Sequence, residues 1–142
     1  MSHLSFQQVQ QHLDVHFSRA MHKFTLQAID SDCIRIERKI YAEDLRPGHS
    51  VSGPTLMQIA DFAAYVAIIA NQGSVDAAFT TNLNINFLRQ ASADYLIIAC
   101  AKVLKAGRNL ATVDISIYSE NSHELIAHAT ANFALMRKEE KI

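Results

Sequence analysis

The stretch PTLMQIADFAAYVAIIANQG, residues 54–73, decides how this chain folds. Pro54 stands where a first helical turn tolerates a missing N–H, and Gly73 is a natural terminator. Between them Leu56, Met57, Ile59, Phe62, Val66, Ile68 and Ile69 are interspersed with alanines, so a helix over residues 54–72 is apolar nearly all round. Such a helix has no face that prefers water and belongs in the centre of a fold. Its longest unbroken apolar run, Phe62 to Ala70, falls well short of the ~20 residues that span a bilayer.

Outward from this helix the patterns change period. Upstream, Phe6, Val9, Leu13 and Phe17 recur at three- and four-residue steps and predict a short amphipathic helix. Phe24–Ile29 and Cys33–Tyr41 read as strands. The second alternates Ile34, Ile36 and Ile40 against Arg35, Glu37 and Lys39. A loop over Ala42–Gly53 carries the turn signal Pro47-Gly48. Downstream, strands are predicted over Ala78–Leu88, Tyr95–Leu104, Ala111–Tyr118 and Glu124–Met136, joined by turns at Gln90–Asp94, Ala106–Asn109 and Glu120–His123. Short connections join antiparallel neighbours. The order predicts an α+β fold in which an antiparallel β-sheet wraps a long central α-helix around one core.

Composition narrows the function classes. The 142 residues suit a single domain, 1–142. With 49% apolar and 19% charged residues the chain is not of the disordered type. Thirteen Lys and Arg against fourteen Asp and Glu leave no basic excess for nucleic acid. The amino terminus has neither the basic start nor the apolar core of a signal peptide, and no membrane partner is expected. Cys33 and Cys100 form no CxxC, so neither a disulfide framework nor a cysteine metal site is indicated. A soluble cytoplasmic protein is the expectation.

Against its apolar background the central helix carries Pro54, Gln58, Asp61 and Tyr65 at steps of four, three and four, which stack them on one face. Asp61 lies two turns inside, too deep to cap the helix. Burying an ionised carboxylate there is costly unless it is paired or hydrated. Two roles are open to it: accepting hydrogen bonds from a neighbouring strand, or facing a cleft as general base or nucleophile. Gly53, just ahead of the helix, offers a backbone N–H without an intrahelical partner, at the positive helix end where it could stabilise an oxyanion. Eight residues separate the two, about 12 Å of helical rise. That is too far for one reacting carbonyl, although an Asp61 from a second subunit could supply the missing group.

The segment Arg46-Pro47-Gly48-His49-Ser50-Val51-Ser52-Gly53-Pro54-Thr55-Leu56-Met57-Gln58-Ile59-Ala60-Asp61 resembles the central motif of hotdog-fold acyl-CoA thioesterases of the phenylacetate-pathway (PaaI-like) type. Those read His-Gly-Gly, a few variable residues, then Leu-Ala-Asp. Thr81-Asn82-Leu83-Asn84-Ile85-Asn86-Phe87-Leu88-Arg89-Gln90-Ala91 is similar to their strand ending Asn-Phe-Leu-Arg-Pro-Ala. The resemblance implies a hotdog fold and a homodimer or homotetramer with active sites at the dimer interface. It implies Gly53 as the N–H donor that polarises a thioester carbonyl, and Asp61 of the partner subunit as the catalytic carboxylate. It implies no metal and no cofactor beyond the coenzyme A of the substrate. Ser52 stands in place of the family's His, Pro54 in place of its second Gly, and Arg46 in place of an Asn that many relatives carry.

Around that pair, Ser52, Pro54, Gln58 and Tyr65 are candidate substrate contacts. His49, a loop residue beside the motif, is a candidate stand-in for the missing imidazole. Asn82, Asn84 and Asn86 share a strand face that suits solvent or a subunit contact, and Asn86 alternatively shapes the cleft. Arg89, Lys105, Arg108, Arg137 and Lys138 lie at strand ends, where they could ring a cleft mouth and meet the phosphates of coenzyme A. Met57, Phe62 and Tyr65 suit an aromatic or a medium aliphatic acyl group equally. Acyl-CoA binding without turnover is the first alternative to hydrolysis, and an enoyl-thioester hydratase using His49 with Asp61 the second.

Overall fold

The computed structural model describes residues 3–30, 33–73 and 77–137. Helix α1 (Phe6–His16) is followed by strands β1 (Phe24–Ile29) and β2 (Ile34–Arg38). A 3-10 turn (Ala42–Asp44) and a small ribbon of β3 (Leu45–Arg46) and β4 (Ser50–Val51) lead into helix α2 (Gly53–Gln72). Strands β5 (Ala77–Phe87), β6 (Ile97–Ala106), β7 (Leu110–Ser119) and β8 (Leu125–Met136) complete the chain. The strands other than the ribbon form one antiparallel sheet in the order β1-β2-β6-β7-β8-β5, so β5 and β1 are its edges.

Helix α2 packs across one face of this sheet. Leu56, Ile59, Ala60, Ala63, Ala64, Val66, Ala67 and Ile68 are all at most 3% exposed. They meet Ala99 and Ala101 of β6, Val113 and Ile115 of β7, and Ala129 and Ala131 of β8, all buried in the same cluster. Small residues on both sides let backbone approach backbone, and the larger side chains interdigitate around them. By length and composition α2 could cross a membrane, a property the short apolar run did not suggest, yet its apolar residues are spent on the sheet. Its N-cap is Ser52, whose side chain accepts the Thr55 N–H, and Gly73 ends it at φ 68°. This is the hotdog fold.

Two departures from the sequence reading bear on function. Residues 42–53 are an ordered clamp rather than an open loop: the Ser52 N–H donates to the Asp44 carbonyl and the Val51 N–H to that of Ala91. The pairing of β5 with β8 also slips by one residue between Thr80 and Asn82, a β-bulge at Thr81.

Candidate active site

Gly53 is the first residue of α2. Pro54 has no N–H, that of Thr55 goes to the Ser52 hydroxyl and that of Leu56 to the Ser52 carbonyl. The Gly53 N–H is therefore the donor left unpaired at this helix start among the described residues. It opens on a cleft of about 560 Å³ between the start of α2 (Gly53, Leu56), the ribbon (Arg46, Ser50) and the end of β5 (Phe87, Arg89). The Phe87 ring forms one wall; a methyl placed on Gly53 would meet its Cζ at 3.5 Å.

Asp61 is half-buried on α2, two turns on. Among the described residues it has one hydrogen bond, accepted at Oδ1 from the Thr80 hydroxyl of β5. Its other oxygen is uncommitted. Thr80 was not anticipated, and the bulge is the reason. Leu83, Ile85 and Phe87 pair with the buried Ala131, Ala129 and Ala127, so they face α2. Strict alternation from them would turn Thr80 to the outer face. The extra residue at Thr81 resets the phase, and Thr80 pairs with buried Phe133 and faces the helix. Bulges recur beside functional sites because they re-aim a side chain in this way.

The remaining candidates divide by contact. Gln58 does not reach the cleft: its Oε1 accepts from Arg38 Nη2 at 2.9 Å. Tyr65 Oη is bound to His12 Nε2 of α1 at 2.8 Å, and its ring packs edge-on against Phe17. Burial pushes the Tyr65 hydroxyl up, and burial with the neighbouring His16 pushes His12 down, so both shifts favour the uncharged forms of the pair. His49, in the left-handed region at φ 56°, turns away to Asp94 at 2.8 Å and closes the ribbon onto the loop after β5. It is no substitute for an imidazole in the cleft. Asn86 pairs with His128 on the outer face of the sheet, opposite to Phe87 and Gly53, so it does not shape this cleft.

Of the cations, Arg46 and Arg89 line the cleft, Arg89 also within 3.5 Å of Glu124. Arg108 lies in the β6–β7 turn, its carbonyl accepting from Arg137 Nε. Arg137 also donates to Gln72 at the far end of α2. In one chain these two, with Lys105, lie at the opposite end of the sheet from the cleft, because β5 and β8 run antiparallel from Phe87–Ala127 to Ala77–Met136. Lys138 is outside the described residues. No cluster of three or more metal-ligating side chains occurs among the described residues.

The largest omission of the sequence reading is Arg38. Its place after Ile34 and Ile36 puts it on their inner face, where it is 1% exposed. It makes a bidentate pair with Asp44, Nη1 to Oδ2 at 2.8 Å and Nη2 to Oδ1 at 3.0 Å. The period-two pattern contained the signal, since a charge at an inward position needs a buried counter-charge.

The sequence profile of the thioesterase superfamily matches residues 48–126, more than half of the chain, a span that includes both Gly53 and Asp61. The chain belongs to that superfamily. Among solved structures it is similar to a provisionally named thioesterase of Silicibacter sp. TM1040, with 28% identity, a TM-score of 0.86 and coverage of 95% of this chain and 94% of that one. It is also similar in fold to zebrafish thioesterase superfamily member 2 (21% identity, TM-score 0.80, covering 93% and 99%). The PaaI protein of the Escherichia coli phenylacetic acid degradation operon is another structural relative (21% identity, TM-score 0.78, covering 92% of each). No curated protein sequence matches.

Proposed function

We propose that this protein hydrolyses acyl-CoA thioesters in a cleft shared by two subunits, with Gly53 from one and Asp61 from the other. The carrying observation is the split of function along α2: an unpaired N–H at its positive end and a carboxylate with one free oxygen two turns away. One chain does not bring them together, since Asp61 is absent from the cleft lining.

A second copy would. Edge strand β5 is eleven residues long and free on its outer side, with Phe79 and Phe87 half exposed. Exposed edges of this kind are templates for pairing. Antiparallel pairing of two β5 strands about a twofold axis at Asn84 would keep inner and outer faces matched and, with Thr81 the extra residue of the bulge, would set Thr80 of the partner subunit opposite Phe87. Asp61 of the partner subunit would come with it, beside the Gly53 N–H.

In the reaction, water attacks the thioester carbonyl carbon while the Asp61 carboxylate takes its proton. Negative charge gathers on the carbonyl oxygen, held by the Gly53 N–H and the positive end of α2. The C–S bond then breaks, and the thiolate leaves with the proton from Asp61, giving a carboxylic acid and free coenzyme A. Thr80 orients the carboxylate and leaves its second oxygen for water. Measuring thiol released from a panel of acyl-CoAs tests the reading, and an absence of release from all of them would end it.

Two variants probe the assignment. Thr80→Val removes the donor to Asp61 and is expected to lower kcat about 10-fold or more, because a misoriented base loses part of its advantage. An unchanged kcat would leave Thr80 a bystander. Gly53→Ala is expected to keep stability within about 1 kcal/mol, since the added methyl meets only the Phe87 ring at ordinary contact distance. The methyl narrows the approach to the N–H, so kcat/KM should fall at least about 10-fold. Wild-type kinetics in Gly53→Ala would place the carbonyl elsewhere.

A further inference from the structure

We infer that the buried Arg38–Asp44 pair is a positioning device for the Gly53 N–H. The inference rests on the proposed thioester hydrolysis for its kinetic consequence and on geometry alone for the rest. Arg38 and Asp44 are 1% and 4% exposed, and Arg38 Nε has no hydrogen-bond partner among the described residues. Taking two charges out of water is costly, and an apolar pair of the same volume is often as stable or more so. What an apolar pair lacks is direction.

The bonds of Asp44 converge on the start of α2 from both sides of Gly53. Its carbonyl accepts the Ser52 N–H at 2.8 Å, one residue before. Its Oδ1 accepts the Thr55 hydroxyl at 3.2 Å, two residues after. The Thr55 hydroxyl in turn accepts from the Ser52 hydroxyl at 2.9 Å. One turn further on, Arg38 Nη2 reaches Gln58 Oε1. On its other side Asp44 Oδ2 takes the Tyr41 N–H at 2.9 Å, tying the cluster to the chain beyond β2. The Gly53 N–H is unpaired among the described residues, and the planar peptide that carries it is held at its other end, where the Ser52 carbonyl accepts the Leu56 N–H at 3.1 Å. Asp44 adds a tie on each side of that peptide, and Asp44 is oriented by both nitrogens of the Arg38 fork.

The test severs direction while keeping packing. Thr55→Val removes the bond from the helix to the Asp44 side chain, keeping the Ser52 N–H on the Asp44 carbonyl and the ion pair whole; Thr55→Ser keeps the hydroxyl. The double variant Arg38→Met with Asp44→Leu replaces the pair by apolar volume. Residual dipolar couplings of the Gly53 N–H, with those of β6 and β7 as an internal frame, read its direction without any substrate. The expected result is a changed Gly53 coupling in Thr55→Val and the double variant, with the strand couplings unmoved. The accompanying kcat should fall about 10-fold or more at unchanged KM, and Thr55→Ser should restore both. A wild-type Gly53 coupling in Thr55→Val overturns the inference, whatever the kinetics. Should the double variant fail to fold, Thr55→Val decides alone. Should the wild type release no thiol, the proposed function fails and the couplings still decide this inference.

Discussion

Asp61→Asn is expected to lower kcat by about 10²-fold to 10⁴-fold, the usual contribution of a positioned general base. The amide is nearly the same size and its oxygen can still accept from Thr80, so position is kept and basicity lost. Among the described residues the Asp61 side chain has a single hydrogen bond, and it sits half exposed, so the substitution should change stability by less than about 1 kcal/mol. Loss of turnover with an unmoved melting curve is therefore the signature of chemistry rather than of folding. Mixing Asp61→Asn with Gly53→Ala subunits gives a sharper form of the same test. In a shared-cleft dimer, a heterodimer of the two variants carries one site with both defects and one with neither. Activity recovered on mixing, up to about half of that of the wild type per heterodimer, is the expected outcome. Full activity in Asp61→Asn would remove the carboxylate from the mechanism and leave acyl-CoA binding as the better account.

Asp44→Ala should produce the largest change in stability, about 3–5 kcal/mol, because it strands the Arg38 guanidinium in the core with no counter-charge. For a domain of this length that is a fall of some 10–20 °C in Tm. The same site governs part of the acid limb. Burial pushes the Asp44 carboxyl up, but the bonds from Arg38, the Tyr41 N–H and Thr55 outweigh it and hold the carboxyl below its ordinary value. The folded chain thus binds fewer protons at Asp44 than the unfolded chain does. Its contribution is complete above the ordinary carboxylate range, near pH 4, and is lost as pH falls through the depressed folded value. Urea midpoints at neutral pH and near pH 3 check this: the gap between the wild type and Asp44→Ala should narrow on acidification. A constant gap would mean that the carboxylate charge is not what stabilises the clamp.

How much was legible in the sequence follows from how local each signal was. The apolar character of residues 54–72 announced an enclosed helix, and the period-two runs announced strands to within a few residues. Motif spacing pointed to Gly53 and Asp61 because both lie on one helix, where order along the chain is order in space. The partners that claim the other polar side chains were not legible. Gln58 and Tyr65 looked alike to Asp61 on the helix face, yet each is claimed by a different neighbour, Arg38 and His12, that lies 20 and 53 residues away in sequence. His49 and Asn86 were near the motifs in sequence and point elsewhere in space, the first drawn to Asp94 and the second turned outward by the pleat.

The linear order of residues was enough to determine a greasy central helix wrapped by an antiparallel sheet, with one N–H donor and one carboxylate along it, because periodicity and helix ends depend on near neighbours. Only the folded chain decided which polar groups serve the cleft and which serve the frame. A one-residue bulge turned Thr80 onto Asp61, and an inward-facing Arg38 found its counter-charge across a turn. The first pairing depends on which distant backbone lies alongside, and no local pattern encodes that; for the second the period-two pattern showed that a counter-charge was needed, and the turn six residues on decided which.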